Sequence, residues 1–370
     1  ILLLLKQSVQ ELKSRILSSR AVLRDTPDLE AWEAQKGFTT LKLRFNWLLD
    51  SLDIFADALT MRSEHNIGVW LAGMDALAED TLQLKGRYFR SPPLITYLDR
   101  GHGAAIRRAR TRLPGGKSNP VAIIRVPRER MISTGIASSL IHEVGHQGAS
   151  LLNLVPSVGE AIKQMALVDV ENLELWNWLD RWISEILSDF WSVASIGIGS
   201  TMGLMNVVSV PAYFVFRLRA EYPHPPPWIR VQLSIAIGAA LYPDPQWDRL
   251  KVLWNRLYPL RLAQPNTIET YKGLVDLLPA FTHLLLEHRP KLLRGKSLKE
   301  VFPIASRQPA RLRHLYHKWK GSAEQMRRHA PSLVFAVIGQ ARADGALTPL
   351  EEAKVLERML RYWAVRRTIF

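Results

Sequence analysis

The chain has 370 residues, enough for a large buried core and for as many as two or three domains. With 47% apolar and 22% charged residues it is globular in composition rather than disordered, and with no cysteine it can form neither disulfides nor thiolate metal sites. A formal charge of +15 admits acidic partners, but the arginines are scattered and no aromatic-studded basic motif is visible, so solvated basic faces are expected and nucleic acid is not.

In chain order, Ile1 to Leu5 is apolar but stops at Lys6, too short for a signal core or a membrane span. The chain opens without a methionine, which leaves room for a preceding targeting segment, and the expected location is cytoplasmic. Residues 1–90 predict an N-terminal helical region. Leu3, Leu4, Val9, Leu12, Ile16, Val22 and Leu23 keep a helical period, broken near Asp25-Thr26-Pro27-Asp28. Leu41 to Met61 and Val69 to Leu84 repeat the pattern, with His65 and Asn66 read as polar groups at a helix boundary.

Ser91-Pro92-Pro93 opens a second region, 91–290. Leu94 to Leu98 reads as a strand, Gly101-His102-Gly103 as a surface turn, and Ala104 to Arg112 as a basic helix. Pro120 to Val126 is a short β-branched strand opened and closed by prolines. That pattern suits a sheet edge, where an extended substrate could pair with it.

The stretch from Met131 to Leu152 contains no proline, and Ile136, Leu140, Ile141, Val144, Leu151 and Leu152 recur at helical spacing. It carries His142-Glu143-Val144-Gly145-His146. Residues four apart share one helix face, so both imidazoles can reach a single Zn²⁺, with Glu143 beside them as a general base. Burying two histidines and a glutamate in an apolar helix is costly without such a task.

Two histidines need a third ligand. Glu185, in Glu185-Ile186-Leu187-Ser188-Asp189, has strongly apolar neighbours and an aspartate four residues on that could fix the tautomer of a ligand histidine. Glu160, Glu171 and Glu174 are rivals by distance from His146, and none has such an aspartate. Farther on, prolines flank His224 in Tyr222-Pro223-His224-Pro225-Pro226-Pro227-Trp228-Ile229-Arg230. Alone, this is a helix-entry loop.

Taken in order, His-Glu-Val-Gly-His, Glu-Ile-Leu-Ser-Asp and His-Pro-Pro with Arg230 six residues after the histidine resemble the gluzincin metallopeptidases, most closely the group of the HtpX heat-shock protease and the CAAX prenyl protease. The resemblance covers roughly residues 120–235. It implies a zincin-like catalytic domain with His142, His146 and Glu185 as zinc ligands and Glu143 as base. It also implies Asp189 behind the site, with His224 and Arg230 contacting substrate or oxyanion. Membrane members of that group set apolar spans around these motifs, whereas the stretch between His146 and Glu185 here is studded with charges. The uncharged run Phe190 to Phe216 is long enough to span but holds glycines, an asparagine and a proline, so a buried core helix followed by a second element is expected.

From Leu233 the chain returns to helices, including Trp247 to Tyr258 and Ile268 to Leu286. His283 and His288 read as surface groups, and Arg289 to Lys296 as a basic linker to a C-terminal helical region, 291–370. Thr348, Pro349 and Glu351 form a helix start with a capping box. Near Asp344-Gly345 the ligands for calcium are lacking.

The sequence therefore predicts a mostly α (α+β) protein with a zincin-like catalytic domain, a small β element and flanking helical regions. The expected activity is zinc-dependent peptide hydrolysis on a peptide or protein substrate. The alternative is a catalytically silent zincin-fold protein that binds peptide or an acidic partner such as nucleic acid.

Overall fold

The structure, a computed structural model, describes residues 1–99, 104–127, 133–319 and 321–369, with the side chains of His65, Thr368 and Ile369 excepted. The expected turn at His102 and the first residues of the predicted motif helix, Met131 and Ile132, lie outside the described residues.

The protein is mostly helical with one small sheet. Helices α1 (Leu2–Asp25) and α2 (Ala31–Thr60) form a hairpin, broken where the sequence places Asp25 to Asp28, and α3 (His65–Leu82) leads into the sheet. Strands β1 (Leu94–Asp99), β2 (Ala105–Arg107) and β3 (Ala122–Pro127) follow. Then come α4 (Thr134–Leu151), α5 (Leu154–Val168), α6 (Leu173–Ile196), α7 (Ile198–Val208), α8 (Ala212–Val215), α9 (Pro227–Leu241), α10 (Gln246–Leu257) and α11 (Ile268–Glu287). The C-terminal part holds α12 (Leu298–Val301), α13 (Pro309–Trp319), α14 (Ala323–Arg327), α15 (Pro331–Ala343) and α16 (Pro349–Ile369).

The sheet corrects two expectations. Its order is β1-β3-β2, so the strand from Pro120 to Val126 is central, parallel to β1 and antiparallel to β2. Both of its edges are occupied, and it offers none to a substrate. The flanking prolines fit because they sit at the strand's ends, where a missing N–H costs the ladder little. The stretch predicted as a basic helix instead supplies β2 and a turn, since Ile106 pairs with Ile124 and completes the sheet. Tertiary pairing has overridden local helix preference there.

The uncharged run Phe190 to Phe216 is divided as expected. Gly197 at φ 62° stops α6, and Ser209 to Pro211 separates α7 from α8. Among the described residues no helix is long and apolar enough to cross a membrane. One continuous core runs from Leu71 on α3 through Trp176, Trp182 and Trp191 on α6 to Trp363 on α16, so residues from all three sequence regions contribute to it. Close helix crossings tie it together. A Cβ on Gly203 of α7 would lie 2.9 Å from Gly135 Cα of α4, closer than a side chain can sit, and Gly199 of α7 packs closely on Gly339 of α15.

Two C-terminal expectations are revised. Arg289 to Lys296 is a packed turn rather than a loose linker: Leu293 is fully buried, and Ser297 and Glu300 close a capping box immediately after it. His288 is half-buried, with Nε2 2.6 Å from Ser157 Oγ. The predicted box at Thr348 forms, with Thr348 N–H donating to Glu351 at 2.8 Å and Glu351 N–H to Thr348 Oγ1 at 3.3 Å.

Candidate metal centre

The site begins with a glycine. A Cβ on Gly145 would lie 2.8 Å from Ser188 Cα and 2.9 Å from Trp191 Cβ, and one on Gly148 would lie 2.3 Å from the Trp191 ring. These two positions let α4 and α6 approach closely enough for their polar faces to meet. Trp191 then fills the crossing, fully buried, and donates from Nε1 to Thr81 O at 2.8 Å.

At that crossing His142, His146 and Glu185 come together, their potential ligand atoms all within 4.8 Å of one another. The two imidazole rings stand edge to face at 4.9 Å between centroids, as residues four apart on one helix face must. Each ring has its Nδ1 occupied. Asp189 Oδ1 lies 2.7 Å from His142 Nδ1, and Ser184 Oγ lies 3.4 Å from His146 Nδ1. Both Nε2 atoms are thereby directed at Glu185, at 3.3 and 3.4 Å. Glu185 Oε2 is buried and accepts no hydrogen bond among the described residues, although His142, His224 and Arg230 nitrogens lie 3.3, 3.4 and 3.5 Å away. Two imidazole nitrogens and an orphaned carboxylate oxygen converging in a buried site are a group that could hold a metal ion.

The electrostatics reflect the crowding. Burial pulls the His142 pKa down, but the Asp189 and Glu185 carboxylates more than reverse this and hold it at about 9. Burial and the neighbouring His142 push His146 down to about 4. Burial alone would raise Glu185, yet His142, Arg230 and His146 bring it to about 2. This carboxylate cage favours a cation at its centre. Glu143, buried beside it, is shifted upward by burial, with His142 opposing and the Glu185 charge adding to the shift.

Behind the site, Arg230 from α9 grips Asp189 with both prongs, Nε to Oδ2 at 2.7 Å and Nη2 to Oδ1 at 2.9 Å. Its side chain is mostly buried, at 13% exposure. The structure thus places Arg230 on the carboxylate that orients His142, while its Nη2 also lies 3.5 Å from Glu185 Oε2 on the wall of the cleft. His224 sits at the mouth, its side chain 59% exposed and its Nε2 turned toward Glu185. Prolines 223, 225, 226 and 227 hold that loop, and Pro227 starts α9, which carries Arg230 six residues after His224. A cleft of about 170 Å³ joins His142, Glu143 and His224 to Ala104 just before β2 and to Leu204 and Val207 on α7.

Every site residue singled out in the sequence is therefore found in one place, while the rival carboxylates Glu160, Glu171 and Glu174 are exposed and outside the cluster. Several supports left no sign in the sequence. Ser184, directly before Glu185, had no spacing signal. The start of α4 is held by Glu352, whose Oε1 accepts from Thr134 N at 2.8 Å and from Thr134 Oγ1 at 2.5 Å, across 218 residues of chain. Against known proteins, no family model, no curated protein and no solved structure matches this chain.

Proposed function

We propose that the protein is a zinc-dependent metallopeptidase hydrolysing a peptide or protein substrate. The observation that carries this reading is the convergence of His142 Nε2, His146 Nε2 and the unpartnered Glu185 Oε2, with Glu143 beside them. In this proposal His142, His146 and Glu185 hold the metal. Zinc bound there supplies Lewis acidity for the scissile carbonyl and its attacking water. Glu143 accepts the proton of that water and returns it to the leaving amine, a task suited to its raised pKa. With a metal bound, Asp189, braced by Arg230, would accept from His142 Nδ1 and leave Nε2 to ligate. His224, at the mouth, can donate from its imidazole to the developing oxyanion.

The test combines metal analysis with hydrolysis of an unstructured protein. We expect about one zinc per chain, lost in Glu185→Ala. Glu143→Gln should keep zinc and lower turnover by at least ~10²-fold, and His224→Ala should lower turnover ~10²- to 10³-fold with little change in KM. A zinc-free protein, or a Glu143→Gln variant at the wild-type rate, would overturn the proposal. Stoichiometric zinc with no hydrolysis would favour the silent peptide-binding reading instead.

A further inference from the structure

A second polar cavity, of about 700 Å³, lies between the end of α3, the loop from Lys85 to Ser91, the turn before α13 and the start of α15. Its floor includes Arg307, which is 4% exposed. Nε donates to Ser195 O at 2.8 Å, in the last turn of α6, Nη1 to Ser306 Oγ at 2.9 Å and Nη2 to Ser332 Oγ at 2.8 Å. A guanidinium has five N–H groups. Three are used here, which leaves one on each Nη among the described residues.

Capping α6 explains the Nε bond but not a cation buried without a carboxylate bonded to it. Asp80, the one acidic residue lining it among the described residues, accepts the Ser332 N–H at 2.8 Å and acts on Arg307 only through space. Against it stand three cations, Arg307 and the exposed Lys85 and Arg87 at the rim. Tyr88, Phe89, Pro303 and Leu333, all half-buried, give the same cavity an apolar side. A buried fork with spare donors, a basic rim and an apolar wall are complementary to an organic molecule carrying an oxyanion.

We propose that this cavity is a second binding site, for a small organic carboxylate or phosphate ester whose anionic group bridges the two Nη atoms of Arg307. The site does not depend on the peptidase reading. Calorimetric titration of the protein as purified with benzoate, phenyl phosphate and the neutral isostere benzamide tests it. At least one of the two anions should bind at a single saturable site, benzamide should not, and comparing the anions identifies the preferred group. Because carboxylates and phosphates also seek metals, the titration is repeated in Glu185→Ala, where binding should persist. Arg307→Lys should weaken binding by removing the fork, but it disturbs the α6 cap as well. The rim carries an independent test, since Arg87 sits at φ 47° and glycine is at ease there. Lys85→Gln with Arg87→Gly should weaken binding about tenfold while leaving the fold intact. Binding of neither anion, equal binding of benzamide, loss of binding in Glu185→Ala, or unchanged affinity in the rim variant would each overturn the proposal.

Discussion

Helices α1 and α6 are both 24 residues long and both carry an apolar helical repeat, yet they end in opposite environments. On α6, sixteen residues are buried, among them Glu185 and Asp189. On α1 none is. Leu2, Leu3, Val9, Ile16 and Leu17 stay 47–70% exposed, and across the hairpin so do Trp32 and Phe38, each at 62%. The difference lies in the neighbours. α6 is enclosed by α4, α5, α9 and α15, whereas α1 meets chiefly α2, with Lys117 tethering it through Ser8 at 3.1 Å and Glu11 at 2.9 Å. An apolar period makes a helix amphipathic; only packing partners turn its stripe into core.

The contrast can be broken by substitution. Trp191→Ala should have the largest effect, about 3–5 kcal/mol of stability, because it empties the α4–α6 crossing and strands the Thr81 carbonyl. Denaturant unfolding measures the loss, and a value below ~1 kcal/mol would mean the crossing is less tightly determined than its geometry implies. Ile16→Ser, on the exposed face of α1, should change stability by no more than ~0.5 kcal/mol. A large loss there would show that the face is covered in solution.

The smallest expected effect concerns pH, and it falls outside both helices. The hydrogen bond from the Ser297 backbone N–H to Glu300 Oε2, at 2.7 Å, is the main cause that lowers the Glu300 carboxyl from the usual 4.5 to about 2. A depressed folded pKa means that its contribution is complete above about 4.5 and disappears as pH falls through about 2. Acid-melting curves of wild type and Glu300→Gln should therefore differ at neutral pH and converge toward pH 2. Curves that stay parallel throughout would deny the box any linkage to protons.

Legibility followed chain distance. The pairs His142/His146 and Glu185/Asp189 were readable because four residues bring side chains to one helix face whatever surrounds them, and the structure groups these residues. The Thr348–Glu351 box was readable for the same local reason. Arg230 was marked only by its place after His224, and its grip on Asp189, 41 residues away, had no local signature.

What the sequence determined by itself was the helical class, the break after α6 and the side chains that form the candidate metal centre. Each depends on helix period, glycine or proline within a few residues. Tertiary structure alone decided that the Pro120 strand is central, that Ala104 to Arg112 yields a strand rather than a helix, and that Arg230 braces Asp189. It alone also left α1 uncovered, joined Glu352 to the start of the motif helix, and buried Arg307 in a cavity. Those outcomes depend on which distant surfaces meet, and contact between surfaces far apart in the chain leaves no period for a single sequence to display.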